Sequence, residues 1–134
     1  MTTREYLSQI RRYDKKISNK REEILNLRSM VYGTSAPMGG DRVQKSGDKD
    51  KLGSFMSEIV DMEQELKKMI SKRCSIVQEI ENLENVDEYD VLAKKYILQK
   101  NVKEIASETG KTPRQIFSVT SRAIDNFEKK YGYK

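Results

Sequence analysis

The chain has 134 residues, 36% hydrophobic and 35% charged, with two Pro and no Trp; that suits one small domain plus an extended helical element better than a large globular core. Its formal charge of +5 fits a polyanionic partner. No His and a single Cys, Cys74, exclude Cys/His zinc sites, Ser-His-Asp triads, Cys-His pairs and an intramolecular disulfide. The opening MTTREYLSQIRRYDKK lacks the apolar run of a signal peptide, and nowhere do eighteen apolar residues follow one another. A soluble, cytoplasmic protein with no membrane partner is therefore the expectation. There is no Walker-type loop and no G-x-G-x-x-G, and the carboxylates alternate with Lys and Arg as on solvated helix faces. No catalytic residue, cofactor or metal is expected, and the chain does not read as an enzyme.

From about residue 3 to 32, Ile10, Ile17, Ile24 and Val31 recur every seven residues, with Tyr6, Tyr13, Lys20 and Leu27 between them. This is the a/d seam of a coiled coil. A second seam runs from about residue 52 to 84, with Leu52, Ile59, Leu66, Arg73 and Ile80 at one position and Phe55, Met62, Met69, Ile76 and Leu83 at the other. In antiparallel register the seams match: Val31 with Phe55, Leu27 with Ile59, Ile24 with Met62, Ile17 with Met69, Ile10 with Ile76. That register lays Arg73 over the Tyr13 ring and lets Lys20 extend past Leu66 to water. It predicts a helical hairpin whose outer face is left to a second copy; the alternative is that each segment pairs with another chain. Residues 33–51, rich in Gly, Ser, Pro and Asp, read as a flexible loop longer than an antiparallel helix connection needs.

After Leu83, Asn85 reads as the stop of the long helix and Asp87 as the cap of the next. DEYDVLAKKYILQK then carries Leu92 and Tyr96 on one face and reads as a single support helix. Residues 102–121 (VKEIASETGKTPRQIFSVTS) have the spacing of a helix-turn-helix. Small Ala106 lets the helices cross closely, Gly110 suits the turn, and Ile116, with Ile105 and Val119, fills the angle between them. Thr112 reads as N-cap and Pro113 as first helical residue of the second helix. Such a unit places the N-terminal end of its second helix in the major groove of double-stranded DNA. Arg114 and Gln115 are the candidates for base edges, because Arg pairs with guanine and Gln with adenine; Thr112 and Ser118 share that face. Lys103, Lys111 and Arg122 read as phosphate contacts. Residues 87–134 hold ten Lys/Arg against seven Asp/Glu, so most of the net charge lies there.

The sequence thus predicts an all-α protein: a long antiparallel coiled-coil hairpin over residues 1–86, then a small three-helix helix-turn-helix domain over residues 87–134. At YILQKNVKEIASETGKTPRQIFSVTSRAI the chain resembles region 4 of bacterial sigma factors, through Tyr96-Ile97, Glu104-Ile105-Ala106, Gly110 and Arg122-Ala123. Together with YLSQIRRYDKKI and GGDRVQKSG, it is similar over nearly its full length to the RinA/ArpU-like phage transcriptional regulators. That resemblance implies a phage or prophage gene product controlling phage genes in a bacterial host, and puts RNA polymerase among the candidate partners. It departs from the pattern in having Val102-Lys103 before E-I-A and a recognition helix that begins Thr112-Pro113-Arg114-Gln115, so no promoter preference carries over. Two other readings are a DNA-packaging adaptor similar to the small terminase subunits and a coiled-coil adaptor whose C-terminal part binds protein.

Overall fold

A computed structural model describes residues 1–32 and 46–132; residues 33–45 of the expected loop lie outside the described residues. Those described are mostly helical, with no strand among them. The helices are α1 (Thr3–Tyr32), α2 (Ser46–Glu81), α3 (Val86–Leu92), α4 (Val102–Thr109) and α5 (Pro113–Tyr131), with a π-helical turn at Ala93–Ile97 directly after α3. No helix of the described residues is long and apolar enough to cross a membrane.

Two spans differ from those the sequence predicts. Helix α2 begins at Ser46, six residues ahead of the seam, because the apolar repeat marks where a helix packs and not where it starts. The support helix is not single: after Leu92 the ladder widens, with Leu98 N–H bonding back to Ala93 C=O at 3.0 Å and Lys100 N–H to Lys94 C=O at 2.9 Å. Asn85 does not stop the preceding helix but opens α3, its side chain accepting from Glu88 N–H at 3.1 Å. Its short side chain reaches the unsatisfied amides of α3, which places Asp87 inside the first turn, where a carboxylate meets the positive helix end.

By compactness the chain divides into two units, one made of Met1–Asp14 with Ser71–Lys134, the other of Lys15–Ile70. In the second unit Ile17, Ile24 and Ile59 are buried, flanked by half-buried Leu27, Phe55, Met62, Leu66 and Met69. Ion pairs run beside this apolar strip. Lys20 lies 3.3 Å from Glu65 and 3.4 Å from Glu23, and Arg28 pairs with Glu63. Lys20 therefore does not simply run out to water. Partial burial pulls its pKa down, but Glu65 and Glu23 more than offset this and hold it above the usual lysine value.

The first unit holds the larger core. Leu7 and Ile10 of α1, Ile76 and Ile80 of α2, Leu92, Tyr96 and the Ala123, Ile124 and Phe127 stripe of α5 form one buried cluster. Phe127 stands between Tyr6 and Tyr131, with ring centroids at 6.2 and 4.8 Å. Residues after Val86 thus share their core with both long helices. Arg73 does not lie over Tyr13. Its Nε donates to Asp14 Oδ1 at 2.5 Å, since the carboxylate next to Tyr13 offers a charge-assisted bond stronger than a partly exposed ring face. Tyr6 adds a second link by donating from its hydroxyl to Glu79 Oε1 at 2.5 Å.

Candidate nucleic-acid interface

The candidate site is built on α4 and α5, both in the first unit. Each helix has its own start signal. Asn101 Oδ1 accepts from Glu104 N–H at 2.9 Å while Glu104 Oε1 accepts from Asn101 N–H at 3.1 Å. Thr112 and Gln115 repeat this reciprocal cap at 3.2 and 2.9 Å, with Pro113 as first residue of α5. Between the helices Gly110 adopts φ 72°, ψ 19°, the left-handed conformation that ends α4. Lys111 N–H then bonds to Ala106 C=O at 3.2 Å, which satisfies one carbonyl of the last turn.

Under this turn lies a second apolar cluster, formed by Val91 of α3, Ile105 and Ala106 of α4, and Ile116 and Val119 of α5, with Val102 packed against it. Ile116 is 1% exposed and Ala106 7%. Thr120, buried one turn further on, donates its hydroxyl to Ile116 C=O at 2.7 Å, so its polar atom costs little. The opposite face of α5 is open: Arg114, Phe117, Ser118 and Ser121 are exposed at the i, i+3, i+4 and i+7 spacing of one helix side.

The candidate residues do not all stand in the same condition. Arg114, Ser118 and Lys103 are exposed, and Lys111 is half-buried in the turn. Arg114, Lys103 and Lys111 make no ion pair among the described residues. Thr112 and Gln115 are occupied with each other in the cap, so the Gln115 carbonyl oxygen is committed to the backbone. Arg122 is tied down as well: its Nε donates to Glu88 Oε2 at 3.0 Å. Asn126 Nδ2 donates to the other oxygen of Glu88 at 2.9 Å, which fixes α3 to α5 through one carboxylate.

Two residues of this region had little or no signal in the sequence. Glu88 is 3% exposed, yet it sits in an acidic run that reads as a solvated helix start; its partners are more than thirty residues away. Phe117 is 59% exposed between buried Ile116 and Val119. Helical phase alone puts it at the border of the buried stripe, so an aromatic there reads as core. The chain matches no family model, no curated protein and no solved structure.

Proposed function

We propose that the protein is a sequence-specific DNA-binding transcriptional regulator of phage or prophage genes, with the start of α5 as the recognition helix in the major groove. The observation that carries this reading is the α4–turn–α5 geometry. Two separately capped helices are joined through left-handed Gly110, locked by Ile105, Ala106, Ile116 and Val119, and leave an unpaired Arg114 on the outward face. In this reading Arg114 takes guanine through paired hydrogen bonds, Ser118 contacts the neighbouring base edge, and exposed Phe117 meets a thymine methyl group. Gln115 contributes chiefly through the cap, and would read adenine only by giving up its bond to Thr112 N–H. Lys103 and Lys111 hold backbone phosphates, while Arg122 keeps its terminal nitrogens for a phosphate after spending Nε on Glu88.

The same reading assigns α1 and α2 to an antiparallel coiled-coil hairpin. In its favour, within each unit the partner's number falls as the other rises: Tyr6 with Glu79 and Asp14 with Arg73 in one, Lys20 with Glu65 and Arg28 with Glu63 in the other. The hairpin then serves as the partner-holding element, for a second copy of the chain or for RNA polymerase in the bacterial cytoplasm. A ring-sized mass in solution would instead favour a packaging adaptor.

The test is on DNA selected from a phage or host genome by the full chain. Arg114→Ala is expected to lose discrimination at one base pair, by about 1–3 kcal/mol. Lys111→Ala is expected to weaken specific and random duplexes alike and to flatten the salt dependence. Equal losses on both kinds of DNA for both variants would overturn the assignment.

A further inference from the structure

Four cations of the first unit are each held by a carboxylate. Lys94 pairs with Asp90, Lys100 with Glu108, Arg73 with Asp14 and Arg122 with Glu88. Arg4, Arg11 and Lys95 make no ion pair among the described residues, and they come together. Arg11 and Lys95 line a cleft of about 350 Å³, with Ser8, Gln99 and Asn101 around it and Tyr96 beside Lys95. The Lys95 ammonium lies over the Tyr96 ring at 5.6 Å, and Arg4 is close enough to the same tyrosine to act against the burial that raises its pKa.

This is an uncomfortable place for positive charge. Desolvation first, and the nearby Arg4 second, hold the Lys95 pKa below the usual lysine value. A half-buried cation facing another cation gains from an anion set between them. The carboxylates nearby are already engaged. Asp14 accepts from Arg73 and from Gln99, Glu108 holds Lys100, and Glu104 caps Asn101 N–H.

The backbone beside the cleft is unusual in its own right. Gln99 has φ 56°, the left-handed region, and is the one non-glycine residue found there among the described residues. A conformation of this kind persists where the surrounding structure holds a segment in place. Here the π-helical turn and left-handed Gln99 bring the chain from Tyr96 to the start of α4 along the cleft wall. In a helix-turn-helix the first helix crosses the DNA backbone. The cleft borders the start of α4, the helix that has this place in the DNA-binding reading.

We propose that this cleft is a phosphate-binding site separate from the α4–α5 turn, filled by a backbone phosphate of the same duplex that α5 reads; its second half rests on the DNA-binding reading above. Arg11 and Lys95 supply the donors, with Arg4 reinforcing the field; the Ser8 hydroxyl donates to Arg4 C=O at 2.8 Å and only lines the wall. The duplex footprint is thereby carried from the recognition helix to the first turns of α1.

The experiment measures the salt dependence of duplex binding by the full chain, and of its Lys95→Gln, Arg11→Gln and Lys72→Gln variants. Lys72 is an exposed lysine elsewhere on α2 and controls for net charge. Thermal unfolding of each variant checks the fold, and Arg11, being exposed, can be replaced without opening the core. Lys95→Gln and Arg11→Gln should each lower the slope of log affinity against log salt by about 0.9, and weaken specific and random duplexes alike by about fivefold near 0.15 M salt. Lys72→Gln should do neither. If all three variants behave alike, the site is overturned while the recognition helix stands. If the wild-type chain binds no duplex, inorganic pyrophosphate decides. A rise in melting temperature for wild type but for neither cleft variant keeps a phosphate site for a free phosphorylated ligand and discards the DNA reading. No rise overturns both.

Discussion

Glu88 shows how much one side chain can organise. It is almost fully buried, its own amide is capped by Asn85, and its two oxygens take Arg122 and Asn126 of α5. Removing it strands donors on α5 that were placed for a carboxylate. Arg122 is 56% exposed and can turn to water, so the loss falls below that of a fully buried pair. Glu88→Ala is expected to destabilise the chain by about 1–3 kcal/mol, measured by urea unfolding. Glu88→Gln, which keeps one acceptor and the volume, should recover about half. An unchanged midpoint for Glu88→Ala would mean that α3 and α5 are held by apolar contact alone.

Among the elements, the turn between α4 and α5 isolates a backbone effect. Nothing lies within 4 Å of a Cβ built on Gly110, so a substitution there meets no clash and feels only the positive φ. Gly110→Ala should therefore cost about 1–2 kcal/mol, and Gly110→Asn clearly less, because Asn tolerates that region. Equal melting temperatures for the three proteins would show that the turn relaxes into another conformation. These elements also show what the sequence could and could not reveal. Caps such as Thr112-Pro113 act within four residues and Gly110 acts on its own backbone, so both were legible. That two long helices run over these stretches was legible because the apolar residues, such as buried Ile10, Ile17 and Ile24, recur with the helical repeat. The π-helical turn was not: Leu92 and Tyr96 keep a helical spacing whether the ladder has one extra residue or none. Glu88 and the cleft at Lys95 were hidden for another reason, since both join segments far apart in the chain.

At the scale of the molecule, the expected boundary near residue 86 cuts through a core. Leu7, Ile10, Ile76 and Ile80 are each 3% exposed or less, and they pack with Leu92, Ala123 and Phe127. A fragment starting at Val86 loses those four partners together. It should show little helix by circular dichroism at 25 °C and bind duplex only weakly, through charge. A fragment that melts as cooperatively as the full chain would restore an independent C-terminal domain. The proposed pairing of the two seams has its own test. Cysteines at Ile17 and Met69 in a Cys74→Ser background should form a bond within one chain at dilute concentration, and bonds solely between chains would move the pairing to a dimer.

The contact between Tyr6 and Phe127 carries a consequence in time rather than in space. Rings at 6.2 Å separate residues about 120 positions apart, so one of the longest loops the chain can close stands between synthesis and a finished core. During translation Leu7 and Ile10 emerge early and wait for the α5 stripe before they can be covered. A ribosome that stops before Phe127 releases a chain whose first unit lacks its central ring, with Leu7 and Ile10 left without the α5 stripe that covers them. The first core to be started is thus the last to be finished.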